Sequence, residues 1–137
     1  MDAELAIEQL KEQLYFEDRT AKAYVRAKGH CEYCGQDLIK VRLGYACAQI
    51  DHLLPRSRFP EAVWGMSENF VLACSLCNGV KRDEVVLQKG EVPEAMLSEN
   101  RKKLVDRAKN YIDSKLQSAN DKWRQAQAIF STLDNKA

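Results

Sequence analysis

Two C-x-x-C pairs limit the folding of this chain more than any other feature. The first pair is Cys31 and Cys34, and the second is Cys74 and Cys77. Four thiolates complete the tetrahedral shell that zinc prefers, and a complete shell leaves no position open for water or substrate. We therefore predict a structural Zn²⁺ site that joins two distant parts of the chain. The residues between the pairs, 35–73, are numerous enough to carry a functional insert.

The composition is typical of a globular protein and excludes a disulfide scaffold. Among 137 residues there are five cysteines, and the acidic start does not resemble a signal peptide, so we expect reduced thiols and a cytoplasmic location. Hydrophobic residues make up 45% of the chain, and no apolar run is long enough to span a membrane. The net charge of +1 argues against a protein that coats nucleic acid, but it allows an enzyme with a local basic cleft.

Hydrophobic spacing and turn residues predict an α+β fold in three segments. In residues 1–29, apolar side chains recur at three- and four-residue steps, which indicates a helical segment with a candidate break near 17–20. We expect this segment to pack on the core and not to touch substrate. Residues 30–89 hold both cysteine pairs and form the predicted core. In residues 90–137 a glycine and a proline mark a boundary, and a C-terminal helical extension follows.

Local composition predicts several elements within the core. Residues 38–41 and 45–50 have strand composition and are separated by a glycine turn. A short strand at 71–73 and a helix at 79–88 follow. Cys47 would then be buried in a strand, because free cysteine behaves as a small hydrophobic residue.

The insert between the cysteine pairs contains residues suited to phosphodiester hydrolysis. Asp51 and, just beyond the insert, Asn78 offer hard oxygen ligands, which suit Mg²⁺ or Mn²⁺. His52 has an ordinary pKa of about 6.5, so its imidazole can take a proton from water near neutral pH. Neighbours in a strand point to opposite faces, so Asp51 and His52 can share a site only at a strand end. Residues 53–55, Leu-Leu-Pro, are suited to ending a strand there.

The order of these motifs resembles that of the HNH endonuclease family. The D-H pair is Asp51 and His52, the central asparagine is Asn69, and a C-N-x-x-K ending begins at Cys77. Two C-x-x-C knuckles enclose this pattern, and the resemblance covers about residues 30 to 84. It implies a small ββα-metal core with the four-cysteine zinc site beneath it and helices on both flanks. It also implies a metal-dependent endonuclease activity.

The resemblance further implies a role for each matching residue. His52 would be the general base that activates water, and Asp51 and Asn78 would hold the catalytic Mg²⁺ or Mn²⁺. Asn69 would fix the loop and orient the base. The asparagine at position 78, where other members have histidine, is a common variant.

Basic residues near the motif are candidates for holding substrate phosphate. Arg56 and Arg58 follow the D-H pair in a predicted loop. Lys81 and Arg82 lie three and four positions after Asn78, so they would share its face of a helix. We expect all four to contact nucleic acid.

DNA is the expected substrate, and two alternatives remain open. One is a zinc module that binds nucleic acid or protein without cutting it. The other is an RNA-directed nuclease of the same kind, because neither the base nor the metal ligands distinguish the sugar. The helical extensions are candidates for contact with a partner protein or with a second copy in a homodimer.

Overall fold

The computed structural model describes residues 1–133, so the last four residues of the predicted C-terminal extension lie outside the described part. A two-stranded sheet is surrounded by helices, which confirms the α+β class with helices on both flanks. The helices are α1 (Ala3–Leu14), α2 (Asp18–Arg26), α3 (Arg42–Ala46), α4 (Glu61–Trp64), α5 (Ser75–Lys81), α6 (Pro93–Glu99) and α7 (Arg101–Ser131). The strands are β1 (Ala48–His52) and β2 (Phe70–Cys74), and Ser67–Asn69 forms one 3₁₀ turn. None of the helices in this part of the chain combines the length and apolar character needed to cross a membrane.

The sheet places the second cysteine pair and the D-H pair at its opposite ends. β1 pairs antiparallel with β2, and the register runs from Ala48 opposite Cys74 to His52 opposite Phe70. Every residue of β2 except the last is buried, whereas Asp51 is the one buried residue of β1. The second cysteine pair therefore begins where β2 ends, and the D-H pair lies at the far end of the same sheet.

The predicted strand at 38–41 is wrong, and of the predicted strand at 45–50 only residues 48–50 lie in β1. The carboxylate of Asp37 accepts hydrogen bonds from the backbone N–H groups of Ile39 and Lys40, both at 2.8 Å, and so forms a tight turn. Helix α3 follows this turn directly, and β1 begins only after it. Local composition favoured strands in both segments. A strand also needs a pairing partner, and for residues 48–50 that partner is β2, more than twenty residues away, which local composition cannot identify.

Two further predictions in the core need correction. The helix expected at 79–88 is α5, which begins earlier because the Sγ of Cys74 accepts the N–H of Cys77 at 3.4 Å and caps its first turn. It ends where Arg82 takes a φ of 48°, a value that a regular helix cannot contain. Cys47 is half-buried at the end of α3, outside any strand, and its carbonyl accepts a hydrogen bond from the first residue of α5 at 2.9 Å.

One buried cluster joins the sheet to the first knuckle, to α6 and to the first half of α7. On α7 its members are Leu104, Ala108 and Ile112, whereas nearly every side chain from residue 117 to residue 133 is exposed. At the N-terminus, the expected break separates α1 from α2, and α2 packs on β2. The division into three segments remains a prediction, and the cluster indicates that the C-terminal helices share the core.

Candidate functional site

The four cysteines of the two pairs meet in one cluster. Their sulfur atoms all lie within 4.8 Å of one another, and the Sγ atoms of Cys34 and Cys74 are 3.8 Å apart. A zinc tetrahedron with Zn–S bonds of about 2.3 Å has S–S edges of about 3.8 Å. The donor type, the number of donors and the spacing therefore fit a structural zinc ion, as the spacing in the sequence predicted.

Local backbone turns shape each half of the cluster. The N–H of Cys34 points to the Sγ of Cys31 at 3.5 Å, and Gly35 follows with a φ of 81°, which favours glycine. Glu32, inside the first knuckle, donates its N–H to the carbonyl of Leu72 on β2 at 2.9 Å. The knuckle is thus attached to the sheet even apart from the metal.

Asp51 lies in a buried polar network between the knuckle and α5. Its Oδ2 accepts a hydrogen bond from the hydroxyl of Tyr33 at 2.6 Å and lies 3.1 Å from the Nζ of Lys81. Lys81 also donates to the backbone carbonyl of His52 at 2.9 Å. Burial raises the pKa of Asp51, and the charge of Lys81 and the hydrogen bond from Tyr33 oppose that shift. The sequence did not identify Tyr33 as part of the site.

Lys81 was expected to contact substrate phosphate, but its side chain lies in the interior of the protein. Lys81 is 1% exposed, and both partners of its ammonium group lie inside the protein. Because α5 packs on β1, position 81 faces the strand instead of solvent. The other three candidates, Arg56, Arg58 and Arg82, are exposed.

Asn78 and Asp51 belong to the same contact between α5 and β1. The Nδ2 of Asn78 donates to the Oε1 of Gln49 at 2.7 Å, and Gln49 precedes Asp51 by two residues, on the same face of the strand. Lys81 follows Asn78 by one helical turn and reaches Asp51 in the same way. Gln49 is a polar neighbour that the sequence pattern missed, although its two-residue spacing from Asp51 was visible.

Each of the two predicted metal ligands retains a carboxylate or amide oxygen for a cation. Within residues 1–133, no hydrogen bond reaches the Oδ1 of Asn78 or the Oδ1 of Asp51. Asn78 is partly exposed, whereas Asp51 is only 5% exposed. Carboxylate and amide oxygens are hard donors of the kind that Mg²⁺ and Mn²⁺ prefer. The donor chemistry therefore fits the implied cation.

His52 lies at the end of β1, on the opposite face of the strand from Asp51. Its imidazole packs edge-on against Phe70, with ring centroids 4.8 Å apart, and against Trp64 at 5.7 Å. Within the described residues, neither ring nitrogen of His52 has a hydrogen-bond partner. No side-chain nitrogen in this part of the chain is both buried and without a partner, so the ring nitrogens of His52 contact solvent. Burial, with smaller contributions from nearby cations including Arg56, lowers the pKa of His52 to about 4, so the imidazole is neutral at pH 7. It forms no hydrogen bond with Asp51 in this part of the chain.

Asn69 closes the loop that follows His52. Its Oδ1 accepts the N–H of Leu54 at 2.7 Å, and its Nδ2 donates to the carbonyls of Leu54 and Trp64 at 2.9 and 3.0 Å. The side chain is 0% exposed. These contacts agree with a residue that shapes the loop, and the link to His52 runs through the backbone.

Comparison with known families now identifies this part of the chain. The family model described as HNH endonuclease matches residues 31–84, which contain the cysteine cluster, the sheet and α5. Neither the curated proteins nor the solved structures returned a match. The motif order, the paired strands with the following helix, and the family match agree, and residues 31–84 are therefore an HNH endonuclease domain.

Proposed function

We propose that this protein is a metal-dependent endonuclease that hydrolyses phosphodiester bonds of DNA, with His52 as the general base. The observation that carries the proposal is the imidazole at the end of β1, whose unpaired ring nitrogens contact solvent within an HNH domain. A base needs access to water, and a histidine that is held between two aromatic rings keeps a defined orientation.

The proposed reaction is a direct attack of water on phosphorus. His52 accepts the proton of the attacking water while the new P–O bond forms and the bond to the departing oxygen breaks. Asp51 and Asn78 would hold Mg²⁺ or Mn²⁺, which when bound supplies a Lewis acid for the charge on the departing oxygen. Asn69 keeps the loop after His52 in place through its three hydrogen bonds.

Exposed arginines support a nucleic-acid substrate. The guanidinium of Arg56 stacks on the ring of Trp64, 4.2 Å from its centroid, and Trp64 also contacts His52. Stacking reduces the entropy that an arginine loses when it binds phosphate. Arg58 lies 3.6 Å from Asp83 in an exposed pair, and Arg82 is exposed beyond α5. We propose that these three contact the backbone of the substrate.

One observation favours the second candidate, a zinc module that binds without cutting. Lys81 already balances the charge of Asp51, and the imidazole of His52 lies on the other face of β1. A cation at Asp51 would have to share this carboxylate with the ammonium group. Cleavage assays decide between the two candidates.

The test uses the full chain, loaded with zinc, in buffer freed of other metals by a resin, because a strong chelator would also strip the cysteine cluster. Supercoiled plasmid and end-labelled RNA are incubated with Mg²⁺, with Mn²⁺ and without added metal. We expect cleavage of plasmid only with added metal, and its loss in His52→Ala but not in His30→Ala, whose ring is exposed and outside the cluster. Cleavage of RNA alone would favour the RNA-directed alternative, and no cleavage of either would favour the zinc module.

We also propose that the distal half of α7 pairs with a second copy of the chain. Apolar residues recur there at alternating steps of four and three, the spacing of a two-helix seam. They are Ile112, Leu116, Ala119, Trp123, Ala126, Phe130 and Leu133. Ile112 lies in the buried cluster and Leu116 packs against it, but Trp123 is 58% exposed and Phe130 69%, so the part of this seam from Trp123 to Leu133 is exposed. The cytoplasm remains the proposed location, because none of the five cysteines forms a disulfide.

A further inference from the structure

Arg19 lies on α2, outside the matched HNH domain, yet its side chain reaches the surroundings of His52. Its Nη1 donates to the carbonyl of Gly65 at 3.1 Å, and its Nε donates to Glu17 at 2.7 Å. The guanidinium lies over the ring of Phe70, 4.7 Å from its centroid. A Cβ at position 65 would lie 2.7 Å from the carbonyl oxygen of Glu61 and 3.2 Å from Nη1, so glycine leaves room for both groups. Arg19 is therefore held in one place by three independent contacts.

One edge of this guanidinium remains open. The side chain of Arg19 is 33% exposed, and its Nη2 has no hydrogen-bond partner among residues 1–133. Since no buried side-chain nitrogen in this part of the chain is unpaired, Nη2 must contact solvent. A guanidinium that is fixed on one side and free on the other is arranged to bind an anion.

The ring beneath Arg19 also touches the proposed base. Phe70 contacts His52 at 4.8 Å, and Trp64, which contacts His52 at 5.7 Å, carries Arg56 on its face. Two arginines thus stack on the two rings that enclose the imidazole. Two positive charges therefore lie close to the imidazole, and they would favour a phosphodiester beside the base.

Arg26, also on α2, has contacts that are purely structural. Arg26 donates from its terminal nitrogens to the carbonyls of Ser67 and Phe70, the latter at 2.6 Å. It attaches α2 to the sheet, and it stacks on neither of the two rings that touch His52. Arg26 is therefore a matched control for Arg19.

We infer that Arg19 binds the substrate phosphate beside His52, together with Arg56, so that the N-terminal helices complete the nucleic-acid site of the HNH domain. This inference rests on the proposed function, because it assigns a substrate contact in the same cleft. It reverses the expectation that the N-terminal segment only packs on the core.

The test compares Arg19→Gln, Arg19→Lys and Arg26→Gln in the full, zinc-loaded chain. Glutamine keeps a donor for the carbonyl of Gly65 but removes the charge, and lysine keeps the charge but not the planar fork. Cleavage of a labelled duplex of about 20 base pairs, long enough to cover a single module's footprint, is measured with Mg²⁺. Binding to the same duplex is measured without Mg²⁺ at several salt concentrations.

We expect Arg19→Gln to lower kcat/KM about 10- to 100-fold, as for the loss of one charge-assisted contact, with partial recovery in Arg19→Lys. The slope of log Kd against log salt should fall by about 0.9 in Arg19→Gln, because one phosphate contact is lost, and stay unchanged in Arg26→Gln. If Arg19→Gln behaves like Arg26→Gln in both assays while wild type cuts, the inference is wrong and the proposed nuclease stands. If wild type cuts nothing but the salt slope still depends on Arg19, the phosphate contact stands and the proposed nuclease is wrong.

Discussion

The cysteine cluster and the group of side chains around His52 (Arg19, Trp64 and Phe70), which we call the His52 cleft, lie at opposite ends of one sheet. They are built in different ways. The cluster consists of four identical donors, two from each of two local turns, and its shell is closed. The cleft brings together side chains from α2, β1, α4 and β2, and it stays open to solvent. A site made from local turns can hold a fold together, whereas a site made from distant side chains needs a fold that is already in place.

This difference predicts different consequences of mutation. Changes in the cluster should lower the free energy of unfolding first, and changes in the cleft should lower activity first. The network of Tyr33, Asp51 and Lys81 lies between the two regions, since it starts in the first knuckle and ends at the carbonyl of His52. Mutations in this network should therefore affect both properties.

The largest effect is expected for Cys74→Ser. A structural zinc site contributes apparent binding free energies of about 10–16 kcal/mol, which are also folding free energy. Loss of one thiolate should therefore cost most of the fold, seen as loss of the thermal transition by circular dichroism and of zinc by elemental analysis. Cys47→Ser, which changes a cysteine outside the cluster, is the control and should keep both. Well-folded wild-type protein without zinc would contradict the prediction.

His52→Ala tests whether changes around His52 lower activity without lowering stability. We expect a loss of roughly 10²–10⁴-fold in cleavage rate, as is typical for a general base, with a folded, zinc-loaded protein. The measurement pairs single-turnover cleavage with a thermal melt. His30→Ala, the change of the other histidine, should leave both unchanged. Cleavage at the wild-type rate by His52→Ala would exclude this residue as the base.

Lys81→Met sharpens the comparison because it lies between the two regions. The methionine fills similar space but leaves the carboxylate of Asp51 buried without a counter-charge. Removing one partner of such a pair costs about 3–5 kcal/mol, and the carbonyl of His52 loses its donor as well. Urea denaturation of the zinc-loaded protein measures the cost.

The control for this change is Lys89→Met, since Lys89 is exposed. Adding Asp51→Asn to Lys81→Met should recover part of the lost stability, because the uncompensated charge is removed. Equal unfolding free energies for Lys81→Met and Lys89→Met would show that the buried pair contributes nothing.

A smaller effect is expected for Asn69→Ala, which belongs to the loop of the cleft. It leaves the backbone N–H and carbonyl of Leu54 without their partner, and unpaired buried groups cost about 1–3 kcal/mol each. Cleavage should weaken too, because the loop after His52 loses its shape. Asn110→Ala, on the exposed side of α7, should change neither property. Wild-type stability in Asn69→Ala would mean that the loop keeps its shape by other contacts.

The smallest effect on both regions is expected from Trp123→Glu in the distal half of α7. If this half pairs with a second copy, loss of the apolar ring should weaken the dimer about tenfold or more, measured by sedimentation equilibrium. Zinc content and the cleavage rate per active site at high protein concentration should stay at wild-type values. Lys122→Glu, one position away and without an apolar side chain, controls for added charge. A wild-type protein that is monomeric at all concentrations would contradict the proposed pairing.

The spacing of the cysteines and the order of the D-H pair, Asn69 and the C-N-x-x-K ending determined the four-cysteine cluster, the HNH domain at residues 31–84 and the fold class. These features are local, and their chemistry depends on residue type and on short spacings along the chain. The cysteine pairs needed only two turns, so their meeting in space was predictable from the four thiolates. For the same reason the helical character of the N-terminal segment, with its break, followed from apolar periodicity.

Only the tertiary structure decided which distant residues meet. The strand partner of β1, the burial of Lys81 and the approach of Arg19 to the ring of Phe70 all join segments far apart in the sequence. Lys81 was predicted to hold substrate phosphate, but the face of α5 that it shares with Asn78 packs on β1, so its ammonium group binds Asp51 and the carbonyl of His52 instead. Pattern along the chain specifies donors and turns, but the depth and direction of a long side chain depend on packing between elements. For that reason the four-cysteine cluster could be predicted from the sequence, whereas the positions of Arg19 and Arg56 around His52 became visible only in the fold.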